Sequence, residues 1–522
     1  MTEAADLLLE NAEVHTLTDP DERYDAVAVR DGEIVAVGSD YEIEFLEGVE
    51  TAVIDCDGRV VLPGFVDAHT HLENLGQYQV HADLSDAAGP EACIERLADA
   101  ADPDREWILG FGYDESEWDD PRYLTREDLD RVSDRRPVVA VRVDMHTASL
   151  NSVALERLAE AMPDDVAEAM PDDDVERVDD EPTGVVVEEA TEVVWNAIEP
   201  DCEETRELVA AAIEYATARG VTCVHDKVRD SHAPRIYRDL EASGDLDCRV
   251  RIDYWSDHLE SAIDVGLATN AGSEFVETGA IKTFTDGSIG SRTAKLSEPY
   301  VDGEGGGDQN RGQWVVSPDE LESIVATADE AGYQLSIHAI GDEAIDETVA
   351  ALEATADPGA ARHRVEHVEL ATDETIERMA EAGIVASVQP NFLQWADEGG
   401  LYDQRLGETR RKRSNPLRTM LEAGVPLAFG SDCMPLDPLF GVHRAVNAPV
   451  ESQRLSVTEA LRAYTHGAAY AGFDEDRLGT IEVGKKADLV VLEESPWEQS
   501  ERIDEIDVAT TVVDGEVVYD GR

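Results

Sequence analysis

Short alternating apolar runs open and close the chain, and longer buried runs separated by helical periodicity fill the space between. Near the N-terminus ADLLLENAEVHTL, AVAVRDGEIVAVG and TAVIDCDGRVVLPG read as strands, with Asp31-Gly32 as a hairpin turn. The last 45 or so residues repeat the pattern: LGTIEVGKKADLVVLEE precedes DVATTVVDGEVVYDG, with Asp514-Gly515 at the turn. Each all-β segment is too small for its own core, so the two are expected to combine into one small β-sandwich.

Strand-like and helix-like segments alternate in between, the pattern of a parallel α/β fold. Eight candidate buried strands are VLPGFVDAH (61–69), VTCVHD (221–226), CRVRIDYW (248–255), GAIKTF (279–284), QLSIHA (334–339), HRVEHV (363–368), IVASVQ (384–389) and VPLAFGSD (425–432). Amphipathic stretches such as TRELVAAAIEYATARG, PDELESIVATADEAG, DETIERMAEAG and PLRTMLEAG precede several of them, each closing on a glycine at a helix C-terminus. The expected fold is therefore α/β: a (β/α)8 TIM barrel with its site at the C-terminal strand ends. About 150 residues separate the first two strands, too many for a loop, so a subdomain is expected there. The expected domains are a sandwich from residues 1–61 and 478–522, a barrel over 62–477, and an insertion at about 73–195. Within the insertion, 161–182 reads as an exposed acidic loop, because it lacks the Gly and Glu spacing of an EF-hand.

The 522 residues include 116 acidic and 42 basic side chains, a formal net charge of −74. Such a surface excludes nucleic-acid backbone binding as a default, which needs clustered Lys and Arg. At 42% hydrophobic residues the chain is not of the disordered acidic type. Like charge spread along the whole chain is tolerated best where molar salt screens it, so a high-salt cytoplasm is expected, with the protein halophilic. Six irregularly spaced cysteines form no CxxC pair, and the N-terminus carries no secretory pattern. No apolar run reaches the ~20 residues of a membrane helix, and no membrane association is expected.

Candidate chemistry collects at the strand ends. His69 and His71 lie two apart, so an extended strand aims both to one side, where two imidazoles suit a divalent cation such as zinc. His338, His367 and Asp432 end the fifth, sixth and eighth strands. Lys282, inside the fourth, needs either a carboxylate partner such as Asp286 or Asp432, or a lowered pKa that lets it form a carbamate with CO2.

Taken together, PGFVDAHTH, IKTFTDGSIGSRTA, SIHAIGD, RVEH and FGSD, with GFGYDESEW, HTASLNSVAL and LGTIEVGKKADLVVL, resemble the amidohydrolase superfamily, in its YtcJ-like or N-substituted formamide deformylase-like branch (amidohydrolase family 3). The resemblance covers nearly the whole chain and implies a metal-dependent hydrolase of non-peptide carbon–nitrogen bonds, with one or two zinc ions on the barrel rim. By position, His69, His71 and Asp432 would hold the more buried ion and His338 and His367 the second, bridged by Lys282 if it is carboxylated. A water activated by the metal would attack the substrate, with Asp432 as general base and then general acid. His146, Asn151, Tyr113, Trp118, Ser288 and Arg292 are the expected substrate-binding residues, and His225 is expected to serve a supporting role. The stretch 302–312 reads as a lid or a plain loop. Hydrolysis of a cyclic amide, carbamate or ester, deamination of a ring, and a non-catalytic interaction protein on the same fold stay open as alternatives. The expected partner is a small-molecule substrate, and a homodimer is the expectation from the frequency of two-fold assemblies.

Overall fold

A computed structural model describes residues 4–143, 145–161, 175–178, 181–187, 189–302 and 310–522. The chain divides into two compact units, Met1–His71 with Ile213–Arg522, and Leu72–Ala212.

In the first unit, eight parallel strands run in sequence order around one sheet. They are β1 (Phe65–Thr70), β2 (Val221–Val228), β3 (Arg249–Trp255), β4 (Val276–Phe284), β5 (Leu335–Ala339), β6 (Arg364–His367), β7 (Val385–Val388) and β8 (Leu427–Phe429). The Asp432 amide donates to the His69 carbonyl at 2.8 Å, which brings the chain after β8 against β1 and nearly closes a barrel. All eight strands fall on the runs read from the sequence. The first run, however, splits at Gly64. Val60–Pro63 pairs with Leu489–Leu492 in another sheet, and only Phe65–Thr70 enters the barrel. A side chain at Gly64 would sit 2.3 Å from Thr222, so the chain turns where no side chain is needed.

Helices start on side-chain caps: Ser317, Thr372 and Ser456 each accept the amide three residues on. Gly383 and Gly424 end theirs in the left-handed conformation that costs glycine least.

Strands from both ends of the chain build two further sheets in the same unit, one of four strands and one of six. Leu7, Leu9, Val27, Val29 and Ile34 share one buried cluster with Val61, Leu489, Val491 and Val512.

The second unit is a six-stranded mixed sheet carrying apolar residues on both faces. Ile108, Val138 and Ala140 face one cluster with Leu97 and Leu129. Val139 and Val141 alternate to the other face, against Ala148, Leu158 and Val194. The unit extends past the expected end near residue 195, into the helix Cys202–Thr217. Of the expected acidic loop at 161–182, residues 162–174 and 179–180 lie outside the described residues, while Val175–Val178 pairs antiparallel with Glu181–Val187. Residues 303–309 of the stretch read as a lid or loop also lie outside them. Among the described residues no helix is long and apolar enough to cross a membrane.

Candidate metal centre

Barrel interiors are usually layers of branched apolar side chains. Here charged groups occupy the centre. Lys227 Nζ lies 2.5 Å from Asp253 Oδ2 and donates to the Ala68 carbonyl at 3.0 Å. Arg364 donates to the same carbonyl at 2.9 Å, and to Glu366 Oε1 through Nε at 2.8 Å and Nη2 at 2.7 Å. All four charged side chains are buried, and each cation has an anion beside it, the condition under which buried charge is tolerated.

Above this layer His69, His71 and Asp432 converge, each offering one ligand atom within 4.8 Å of the others. Asp432 Oδ1 is 3.6 Å from His69 Nε2 and 3.3 Å from His71 Nε2. His69 lies on β1 and His71 one residue past its end, so the strand's alternation carried over that step aims both to one side. Asp432 lies beyond the end of β8 rather than on it, with φ of 55°, and His367 ends β6 with φ of 72°. Left-handed backbone is rare for such residues and marks a geometry held by its surroundings. It lets His367 and Glu366, adjacent in sequence, both reach the interior: the His367 ring is 5.0 Å from that of His69 and 4.4 Å from that of His338.

Burial favours neutral imidazoles at three positions: His69 and His338 are held well below the usual histidine range, and His367 is pushed down to about 4. Burial also opposes ionisation of Asp432, but its contacts with His69 and the hydrogen bond from His71 outweigh it and hold the carboxyl below its usual range. Neutral imidazoles with an ionised carboxylate are the donor set of a divalent metal such as zinc.

His338 Nε2 faces the Gly287 carbonyl at 3.1 Å and Asp286 Oδ1 at 3.6 Å, adjoining the three convergent residues without joining them. Lys282 is fully buried, and its Nζ has no hydrogen-bond partner among the described residues. Burial brings its pKa down to about 7, with Glu366 opposing and Lys227 adding to the shift. Asp286, one of the two carboxylates expected to pair with it, instead accepts three backbone amides, from Ile340, Gly341 and Lys295, at 2.7–3.0 Å. His367 Nδ1 is likewise buried with no close hydrogen bond among the described residues, the Gln389 side chain being its polar neighbour. These two orphaned atoms beside the convergent trio fit a centre completed by a bound group.

Of the residues expected to bind substrate, Ser288 and Arg292 lie in the loop after β4. Ser288 bonds Ser291 at 2.9 Å, and Arg292 pairs with Asp302 at 2.8 Å. The other four belong to the second unit. Asn151 is fully buried, and its amide meets four backbone groups, of Val138, Ala154, Ser133 and Arg136, at 2.8–3.0 Å. Tyr113 bonds Ser149 at 3.0 Å, and Trp118 donates to the Ala87 carbonyl at 2.7 Å. Those three side chains pack the unit's interior, their polar atoms matched inside it, whereas His146 is exposed. His225 is buried, with Arg364 donating to its Nδ1 at 2.8 Å, a supporting position within the charged layer.

Sequence reading passed over Glu366, whose Oε2 lies 2.7 Å from His69 Nδ1, and Asp67, whose Oδ1 accepts the amides of His69 and Ser431 at 3.1 and 2.9 Å. The signal for the first was the spacing in RVEH: Arg364 and Glu366, two apart, share the interior side of β6.

The amidohydrolase family model matches residues 52–519. The chain is 31% identical to the putative amidohydrolase YtcJ of Bacillus subtilis (strain 168), covering 97% of this chain and 98% of that one. It is 28% identical to the N-substituted formamide deformylase of Arthrobacter pascens, covering 100% and 99%. The crystal structure of an uncharacterised metal-dependent hydrolase from Pyrococcus furiosus superposes with a TM-score of 0.78 at 30% identity, covering 94% of this chain and 99% of that one. The chain belongs to the amidohydrolase family and is a hydrolase acting on carbon–nitrogen bonds.

Proposed function

We propose that this enzyme hydrolyses an N-substituted amide or formamide of small size, using zinc held by His69, His71 and Asp432. The convergence of those three ligand atoms within 4.8 Å is the observation that carries the reading. Similarity to the formamide deformylase over the full length supports the substrate class.

A divalent zinc ion bound there supplies Lewis acidity towards a carbonyl oxygen and makes water acidic enough to react near neutral pH. The chain's own part is to accept and return a proton. Asp432, ionised and 3.3 Å from His71 Nε2, takes the proton of the attacking water and delivers it to the leaving nitrogen, which departs as a neutral amine. Were a second ion bound, His338 and His367 would hold it, joined by Lys282 if that side chain is carboxylated. Ser288 and Arg292 are substrate contacts on the β4 loop.

The reading includes a sandwich of residues 1–61 and 478–522 around a barrel of 62–477 interrupted at about 73–195, supported by the apolar cluster that both chain ends share. A high-salt cytoplasm is supported by the net charge of −74, and a homodimer rests only on the frequency of two-fold assemblies.

Metal content per chain, measured on protein purified in molar KCl without chelator, tests it first. Two equivalents of zinc in the wild type, one or fewer in Lys282→Ala, and release of formate or a carboxylic acid from N-formyl or N-acyl amines are the expected results. A wild type that holds no metal and regains none from added zinc overturns the reading.

A further inference from the structure

His69 is held from several directions. Its amide donates to Asp67, its carbonyl accepts from Asp432, and the carbonyl of Ala68 before it accepts from both Lys227 and Arg364. Its side chain has one contact of a different kind. Nδ1 lies 2.7 Å from Glu366 Oε2, while Nε2 faces Asp432.

Among the described residues every other hydrogen bond to the Glu366 carboxylate also comes from a donor. Ser336 Oγ donates to Oε1 at 2.6 Å, and Arg364 donates to the same oxygen through two nitrogens. The carboxylate is fully buried, and the Arg364 cation keeps it charged. An ionised carboxylate only accepts, so the imidazole proton must sit on Nδ1 and the lone pair on Nε2.

We propose that Glu366 is a positioning residue that sets the tautomer of His69, presenting Nε2 as a metal ligand, with Arg364 and Ser336 holding Glu366 for that task. The proposal rests on the metal reading above. Outer carboxylates of this kind are worth about 10- to 100-fold in metal affinity.

The Glu366→Gln variant separates tautomer control from packing, because it keeps shape while replacing one acceptor by a donor. Its remaining oxygen goes to the Arg364 cation, which forms the stronger, charge-assisted bond. The new amide NH2 then faces Nδ1 and can bond only its lone pair, moving the proton to Nε2.

The experiment is zinc titration against a chromophoric chelator, together with 15N NMR of the His69 ring in metal-free protein, assigned by comparison with His69→Asn. Expected are an Nδ1–H tautomer in the wild type, an Nε2–H tautomer in Glu366→Gln with zinc bound about 10- to 100-fold more weakly, and an Nδ1–H tautomer restored in Glu366→Asp. Wild-type zinc affinity in Glu366→Gln with an unchanged tautomer overturns this proposal alone. A wild type that binds no zinc overturns the metal reading and this proposal with it. If Glu366→Gln does not fold, Ser336→Ala takes its place, since it removes one support of the carboxylate and no charge: severalfold weaker zinc binding supports the proposal, and unchanged binding overturns it.

Discussion

The amide of Asp432 donates to the carbonyl of His69 at 2.8 Å, so the bond that brings the chain after β8 against β1 also sets two candidate ligands side by side. Asp432→Asn should keep that bond, because it is made by the backbone, and asparagine tolerates the left-handed conformation with φ near 55° at this position. What it removes is the ionised carboxylate. We expect kcat to fall by at least about 100-fold, with thermal unfolding little changed. Steady-state kinetics and calorimetry on the same preparation check both halves.

Gly430 sits at the same seam, where an added Cβ would lie 2.5 Å from the His69 nitrogen and 2.7 Å from its Cβ. Gly430→Ala should therefore push β1 away, costing about 1–3 kcal/mol of stability and weakening zinc binding. Denaturant unfolding and zinc titration measure the two effects. A variant as stable and as tight-binding as the wild type would show that the seam yields without cost.

A buried ammonium without a hydrogen-bond partner burdens the metal-free fold. Replacing Lys282 by methionine keeps much of the volume and removes the charge, so metal-free Lys282→Met should be more stable than metal-free wild type at pH 7 by roughly 1–3 kcal/mol. The advantage should shrink as pH rises from about 7 towards 10.5, because only there does the folded wild type hold fewer protons than the unfolded chain. Chemical denaturation at pH 7 and pH 10 decides it.

Acid should loosen the metal-free protein early. His367 titrates near 4 when folded, against 6.5 in an unfolded chain, so between those values the unfolded state binds more protons and stability falls as pH falls. That one group accounts for about 3 kcal/mol across the window, and His69 and His338 act in the same direction. Unfolding free energies from pH 7 down to pH 4, in constant molar KCl, should trace the loss. A flat profile would mean that the imidazoles are not buried in neutral form.

Salt should matter more than for an ordinary enzyme. With a net charge of −74, raising KCl from 0.1 M to about 2 M cuts the Debye length from ~10 Å to less than 3 Å and relieves self-repulsion. The melting temperature should climb steeply over that range. Sodium chloride should act similarly, since screening does not distinguish the two cations, and a salt-independent melting point would exclude the halophilic assignment.

The eight barrel strands, the helices ending on Gly383 and Gly424, and the histidine pair at the end of β1 could all be read from the sequence, because each is written in local periodicity: apolar runs, a glycine at a helix end, two residues on one side of an extended segment. What could not be read is anything that depends on pairing across the barrel. Glu366 and His69 are 297 residues apart, and the RVEH spacing says only that Glu366 faces inwards, not that an imidazole waits there. The lack of a hydrogen-bond partner for Lys282 was equally hidden, because Asp286 satisfies itself on three backbone amides that arrive from two different loops. Tyr113, Trp118 and Asn151 are expected at the pocket only because they lie in the insertion segments GFGYDESEW and HTASLNSVAL that carry the family resemblance. Packing buried all three and matched their hydrogen bonds within one unit. Sequence by itself determined the elements and the stock of metal-capable side chains, since those follow from short-range sterics and burial. The tertiary structure decided which of them meet, since closing a barrel sets distances between strands that no local pattern encodes.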